Sequence, residues 1–387
     1  MAGTSSNYQY DVSVILPALD EARTIADCIQ KIQEVFRNNG ISGEILVADS
    51  STDRTAEIAR SLGATVVHPE KPGYGNAYLD AFRHAHGRFI VMGDADNTYD
   101  FLEIPRLLAP LHEGADLVIG SRFKGTIHEG SMAPLHRYIG NPVLTWLLNF
   151  IFGSRFSDTH SGFRAIRREA LDCLGLRTGG MEFASEMLVM AAREKLRIVE
   201  VPISYHPRTS PSKLHSFADG WRHIRFILLI KPTLFIAVPG VVFSSLGIFL
   251  MAVSSLGGNI ETTHLHSFIL GAMLLIAGVQ ALLMSTIINV YSVIHGYEKK
   301  IGFISTVMNY HNLEKFLVFG GALILLGVVA GFNIVIPWIA SNFGQISQIS
   351  TAIISLLLIT TGIQIIFFAI FISMMLLNEN TLQNGHA

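Results

Sequence analysis

Between Phe316 and Asn378 the chain carries no Lys, Arg, Asp or Glu, and the same is true between Lys231 and Glu261. Soluble folds place charges every few residues, so runs of this length require a hydrocarbon surrounding. A third run, from Ser267 to Tyr297, is equally free of charge. Pro337 and the polar stretch 342–348 divide the longest run, which predicts four transmembrane helices at about 232–256, 267–296, 316–340 and 349–377. Lys299, Lys300 and Lys315 fall between the second and third spans, whereas the segments after the first and third have no Lys or Arg. The positive-inside rule then predicts a multi-pass protein of the cell membrane with both termini in the cytoplasm.

Residues 1–215 are of another kind. Charged side chains make up 15% of the whole chain, against about 25% in soluble proteins, and the deficit lies in the C-terminal part. Short apolar runs at 12–16, 44–48, 64–67, 89–92 and 116–119 each lead into a loop and then a helical pattern, and a last strand is expected at 197–204. The alternation predicts an α/β fold, a mostly parallel sheet with helices on both faces, followed by an all-α transmembrane domain of four helices over 231–378. Between them, 216–230 sets Trp221, Ile224 and Phe226 among Arg222, His223 and Arg225, the pattern of an interfacial amphipathic helix. Residues 379–387 are expected to form a cytoplasmic tail. The N-terminus lacks the basic flank and apolar core of a secretory signal, so the α/β domain is expected in the cytoplasm. A net charge of −2 provides no argument for a nucleic-acid partner, and Cys28 and Cys173 match no metal or redox spacing.

In parallel sheets ligands bind outside the carboxyl ends of the strands. Glu21, Asp49, Asp94, Asp96 and Arg122 are all expected there. Asp94 and Asp96 flank Ala95 in a turn, where two carboxylates can converge, and such convergence suits a hard divalent cation. Asp49 can accept hydrogen bonds from a nucleoside, and Asp53 is expected to cap the following helix. Gly73 and Gly75 suggest a loop where backbone approaches ligand. The apolar run 138–152 is too short to span a bilayer; a core helix and a membrane-surface helix bearing Trp146 and Phe150 both fit it. Residues 157–164 crowd Asp158, His160, hydroxyls, Gly162 and Arg164 into one short segment. Glu182 and Glu186 share a helix face, a mildly unfavourable spacing unless a cation or basic side chain lies opposite. Arg208, Ser212 and Lys213 form a clamp for diphosphate oxygens on a loop that Pro207 and Pro211 keep irregular.

Taken in order over 12 to about 215, these segments resemble the family 2 glycosyltransferases of the nucleotide-sugar (GT-A) fold, and among them the polyprenyl-phosphate glycosyltransferases of the dolichyl-phosphate mannose or glucose synthase type. The carriers are Val12-to-Glu21, Val47-to-Asp53, Gly73-to-Ala77, Asp94-Ala95-Asp96, Gly120-to-Arg122, Asp158-to-Arg164 and Arg208-to-Lys213. The resemblance implies that Pro17, Leu19, Glu21 and Asp49 hold the nucleoside, that Asp94 and Asp96 bring in Mg²⁺ or Mn²⁺, and that Ala95 between them lies in the substrate site. It implies that Arg122, Arg208, Ser212 and Lys213 meet phosphate and that Asp158 lies beside the reacting centre. Two positions depart from the family pattern: Ala48 stands where a second acid is common, and Thr98 where a Gln is. The Gln-x-x-Arg-Trp signature of processive synthases is absent, which implies transfer of a single sugar.

The expected partners are therefore a nucleotide sugar, polyprenyl or dolichyl phosphate and membrane lipid, with a homo-oligomer left open. UDP-glucose, UDP-N-acetylglucosamine and GDP-mannose all fit as donors. A diacylglycerol-type hydroxyl acceptor, or a non-catalytic membrane scaffold with a degenerate transferase domain, are the alternatives.

Overall fold

The computed structural model describes residues 8–209, 216–256, 260, 264–298, 302–343 and 348–384. Two compact units divide between Phe226 and Ile227.

The first unit holds seven strands: β1 (Tyr10–Ala18), β2 (Gly43–Asp49), β3 (Thr65–Val67), β4 (Gly87–Met92), β5 (Leu117–Ile127), β6 (Arg164–Arg167) and β7 (Ile198–Tyr205). They form one sheet in the order β3-β2-β1-β4-β6-β5-β7. β6 runs antiparallel to both neighbours, and every other pairing is parallel. Among the described residues the chain here also forms eight α-helices: α1 (Ile25–Asn39), α2 (Thr55–Ser61), α3 (Tyr74–His84), α4 (Ile104–His112), α5 (Asn141–Phe152), α6 (Arg168–Leu174), α7 (Phe183–Arg193) and α8 (Ser216–Ile230), the last crossing the division between units.

Side chains alternate across the sheet as its period of two demands. Val12, Val14 and Leu16 of β1 and Phe89 and Val91 of β4 join one core with Ile25, Ile29, Ile32, Leu107 and Leu111 of α1 and α4. Ile15, Ile90 and Met92 point the other way, against Ala77, Tyr78, Phe183 and Met187 of α3 and α7. Each fully buried aliphatic side chain contributes about 2 kcal/mol of transfer free energy, which is why the strands read as continuous apolar runs.

Two strands depart from the sequence expectation. β6 was not anticipated, because four residues with an arginine at each end carry no strand signal; its ladders with β4 and β5 define it. β5 continues to Ile127 instead of ending near 119, and its register with β7 shifts between Ser121 and Thr126. Arg122 thus lies at an irregularity within a strand, a place where local twist re-aims a side chain.

The second unit contains α9 (Val238–Leu256), α10 (Leu265–Ile294), the short α11 (Gly302–Val307), α12 (Tyr310–Ala340) and α13 (Ile349–Asn384). Four stretches, Thr233–Leu256, Leu265–Ile294, His311–Ala340 and Ile349–Leu377, are long and apolar enough to cross a membrane. Phe249, Val318, Leu325, Ile336 and Phe367 are exposed on them, the inverse of a soluble surface. α9 and α10 approach through small residues: a Cβ on Gly247 would lie 2.6 Å from the Gly271 carbonyl oxygen, and one on Gly271 2.8 Å from that of Gly247.

Candidate active site

β4 delivers the chain to Gly93 and then to the turn holding both acids. Asp94 Oδ1 accepts a hydrogen bond from the Tyr74 hydroxyl at 3.0 Å. Asp96, 2% exposed, takes two donors on Oδ1, the Thr98 amide at 3.0 Å and the Thr98 hydroxyl at 2.6 Å. On Oδ2 it takes the Arg208 guanidinium, through Nε at 2.6 Å and also through Nη2. Burial, and then the charge of Asp96, pushes the Asp94 carboxyl up to about 7. A group that resists ionisation beside a second carboxylate gains most from a nearby cation.

A second ion pair lies close by. Arg122 holds Asp158 through Nε to Oδ2 at 2.7 Å and Nη2 to Oδ1 at 2.8 Å, and its backbone amide also donates to Oδ2 at 3.1 Å. Asp158 is fully buried and Arg122 is 7% exposed. The Arg122 guanidinium sits 5.1 Å from the Tyr205 ring centre, and Tyr205 feels the charges of Arg122, Asp96, Asp94 and Arg208 together. One tyrosine therefore stands among both pairs. Glu200 of β7 accepts from the Ser157 amide at 2.7 Å and the Asp158 amide at 3.2 Å, fixing this segment to the sheet edge. Arg164 is buried on three carbonyls, of Ser161, Ala184 and Thr159, and so staples the segment in place.

The expected nucleoside side gathers at the ends of β1 and β2, where Pro17 is in register with Ala48 and Ala18 with Asp49. Leu19 is exposed, while Glu21 and Asp49 are buried. Asp49 accepts from the Ser51 hydroxyl at 2.6 Å. The Thr24 hydroxyl donates to Ala95 O at 2.8 Å and lies 3.3 Å from Glu21 Oε2, which ties this side to the two-acid turn. Asp53 accepts from the Thr55 amide at 2.9 Å at the start of α2 and from the Ala22 amide at 3.2 Å. Ser212 and Lys213 lie outside the described residues.

Three of the segments singled out in the sequence meet partners within the chain. The close backbone approach at Gly73 and Gly75 is to the chain itself. With φ of 137° Gly73 is in glycine territory, and a Cβ there would lie 2.3 Å from Gly179 O; one on Gly75 would lie 2.1 Å from Thr178 O. Glu186 accepts from the Arg177 amide at 3.1 Å and from the Thr178 amide and hydroxyl at 2.9 and 2.6 Å. Asp158 has both oxygens on Arg122, a geometry that orients the arginine. Tyr74, Tyr205 and Glu200 belong to the site but were not singled out, since tyrosines and one strand acid carry no spacing signal.

Among the described residues no three His, Cys, Asp or Glu side chains cluster as a metal site. Two hard carboxylates, one already drawing a guanidinium, nonetheless fit a cation that completes its shell with water and substrate oxygens. On α5 and the turn before it, Leu135, Tyr138, Ile139, Val143, Trp146 and Phe150 are exposed, the last two at 63% and 61%. Their spacing of three and four residues makes one outward apolar stripe, which removes the core-helix reading of 138–152.

An α/β domain with its charged cluster at strand carboxyl ends, in a chain with four helices long and apolar enough to cross a membrane, defines a class: a polytopic membrane enzyme. Residues 13–175 match the family described as glycosyl transferase family 2, and 286–376 match the glycosyltransferase family 2 C-terminal transmembrane region. The chain is 39% identical over 360 residues to the low-salt glycan biosynthesis hexosyltransferase Agl6 of Haloferax volcanii, spanning 92% of this chain and 87% of that one. It is 33% identical over 210 residues to a dolichyl-phosphate hexose transferase of the same organism, spanning 54% and 89%. Glucosyl-3-phosphoglycerate synthase from Mycobacterium tuberculosis, solved with Mn²⁺ and UDP, aligns over 57% of this chain and 79% of that one, at 26% identity and a TM-score of 0.47. The protein belongs to glycosyl transferase family 2 and is a membrane glycosyltransferase.

Proposed function

We propose that the protein transfers a single hexose from a UDP- or GDP-linked sugar to the phosphate of a polyprenyl or dolichyl lipid, with inversion, at the cytoplasmic leaflet and with Mg²⁺ or Mn²⁺. The observation that carries this reading is the cluster of Asp94, Asp96 and Arg208 beside Arg122 and Asp158 around Tyr205. A relative named for dolichyl-phosphate hexose transfer supports the acceptor class.

Asp94 and Asp96 would hold the cation, which supplies charge stabilisation for the departing diphosphate. Arg208 holds Asp96 and is the group that can turn to diphosphate oxygens as they arrive, exchanging one anion for another. Asp158 orients Arg122 and prevents its fork from folding elsewhere. The acceptor suits a site whose acid is committed in this way. A phosphate monoester has its second pKa near 6 and is about 90% dianionic at pH 7, so it attacks without a strong base. A lipid hydroxyl would need one. Glu21 and Asp49 line the nucleoside side.

The outward stripe on α5, with Trp146 and Phe150, supports contact of the transferase unit with the membrane surface, as does the basic amphipathic pattern of 216–230. The lysines at 299, 300 and 315 support placing both termini and the transferase unit in the cytoplasm.

The test offers purified full-length protein a panel of labelled nucleotide sugars with polyprenyl phosphate, or with diacylglycerol, with and without a chelator. Label entering the lipid phase only with polyprenyl phosphate, and only without chelator, is the expected result. Transfer to diacylglycerol alone would replace the acceptor, and no turnover with any donor would favour the scaffold.

A further inference from the structure

We propose that Tyr74 and Thr98 set the metal selectivity of the site, by leaving each acid a single oxygen for a cation and so favouring Mg²⁺ or Mn²⁺ over Ca²⁺. This rests on the metal reading above and deepens it. The two acids are held in the same manner by different donors. Asp94 gives Oδ1 to the Tyr74 hydroxyl at 3.0 Å. Asp96 gives Oδ1 to the amide and hydroxyl of Thr98 at 3.0 and 2.6 Å. In each case Oδ2 is the oxygen not held by Tyr74 or Thr98; on Asp96 it carries Arg208, and becomes open to a cation when that guanidinium turns to the diphosphate.

The distinction matters because the ions differ in what they ask of a carboxylate. Ca²⁺ takes six to eight oxygens and readily uses both from one acid, whereas Mg²⁺ is bound through one or two carboxylates and keeps waters and phosphates for the rest. An acid with one oxygen on a protein donor is a poor two-oxygen ligand. Tyr74 is well placed to keep it so, since its ring cannot swing freely. It meets the Tyr78 ring edge-on at 5.1 Å and the Phe183 ring at 6.5 Å. Its helix start is bolted to the 178–180 loop by the Asn76 amide on Gly179 O at 3.1 Å. Thr98 acts through its own backbone turn and is equally fixed, being 1% exposed.

Both residues are positioning residues, and their signature is a ratio of affinities. Full-length wild type, Tyr74→Phe and Thr98→Val would be titrated with Mn²⁺, reading the free-ion EPR signal in the presence of UDP and, separately, GDP, followed by displacement with Ca²⁺ and with Mg²⁺. The expected result is a Mn²⁺-over-Ca²⁺ preference that falls about tenfold in each variant, chiefly through tighter Ca²⁺ binding, with Mg²⁺ displacement tracking Mn²⁺ and the melting temperature retained. Equal weakening of all three ions in both variants would overturn the proposal and leave Tyr74 and Thr98 as fold supports. If wild type bound none of the ions with either nucleotide, the metal reading itself would fall, an outcome distinct from an unmoved ratio.

Discussion

The Asp94 carboxyl is raised from 3.8 to about 7 by burial and then by the charge of Asp96. With the folded value above the unfolded one, the native state holds the extra proton between those limits. Without metal, stability should therefore fall as pH rises from about 4 to about 7 and then level off, and added Mn²⁺ should remove that slope; thermal melts across pH check both. Protons and metal compete for the same group, so Mn²⁺ affinity should fall about tenfold per pH unit below 7. Asp96→Asn should lower turnover by about a hundredfold or more, since the charge facing the diphosphate site is lost. Asp158→Asn separates a base from a positioning acid. Here it should also lower stability by about 3 kcal/mol, because Arg122 would be left buried without its partner. A variant that lost activity at unchanged melting temperature would return Asp158 to the role of base.

At the scale of elements, the site depends on chain segments that support one another. The start of α3 presses on the 178–180 loop, that loop is gathered by Glu186 of α7, and the 158–164 segment is pinned by Arg164 and Glu200. Gly75→Ala should cost about 2 kcal/mol, since a methyl would meet Thr178 O at 2.1 Å. A melt of the solubilised protein measures it, and restored stability in a Gly75→Ala variant would mean the loop yields freely. The outward stripe of α5 predicts a different defect. Trp146→Asp with Phe150→Asp should leave the fold intact and raise the apparent KM for polyprenyl phosphate in vesicles about tenfold, while that for the nucleotide sugar stays constant.

For the whole molecule, two units with opposite solvents share one chain. The transferase unit buries both faces of a sheet, and the membrane unit exposes apolar side chains because lipid is its solvent. The membrane helices bury little along much of their length, and α9 and α10 rely on close glycine contacts. Gly247→Leu should therefore separate that pair and lower yield in detergent without altering nucleotide binding by the transferase unit, measured by equilibrium titration.

What the sequence by itself determined was whatever local composition encodes: four spans from missing charges, alternating strands and helices from hydrophobic period, and the two acids from their place after a buried run. Lys and Asp are costly in lipid, and a strand buried on both faces must be apolar, so these features are legible without coordinates. What only the tertiary structure decided was partnership. β6 is a strand because β4 and β5 lie on either side of it, and Arg122 falls within β5 because β7 extends the ladder. Asp158 is a partner of Arg122, Glu186 a cap for backbone amides, and Tyr74 a brace for Asp94. Each of these bonds joins residues set by different segments, and no spacing along the chain records which donor will stand opposite a carboxylate once the sheet has formed.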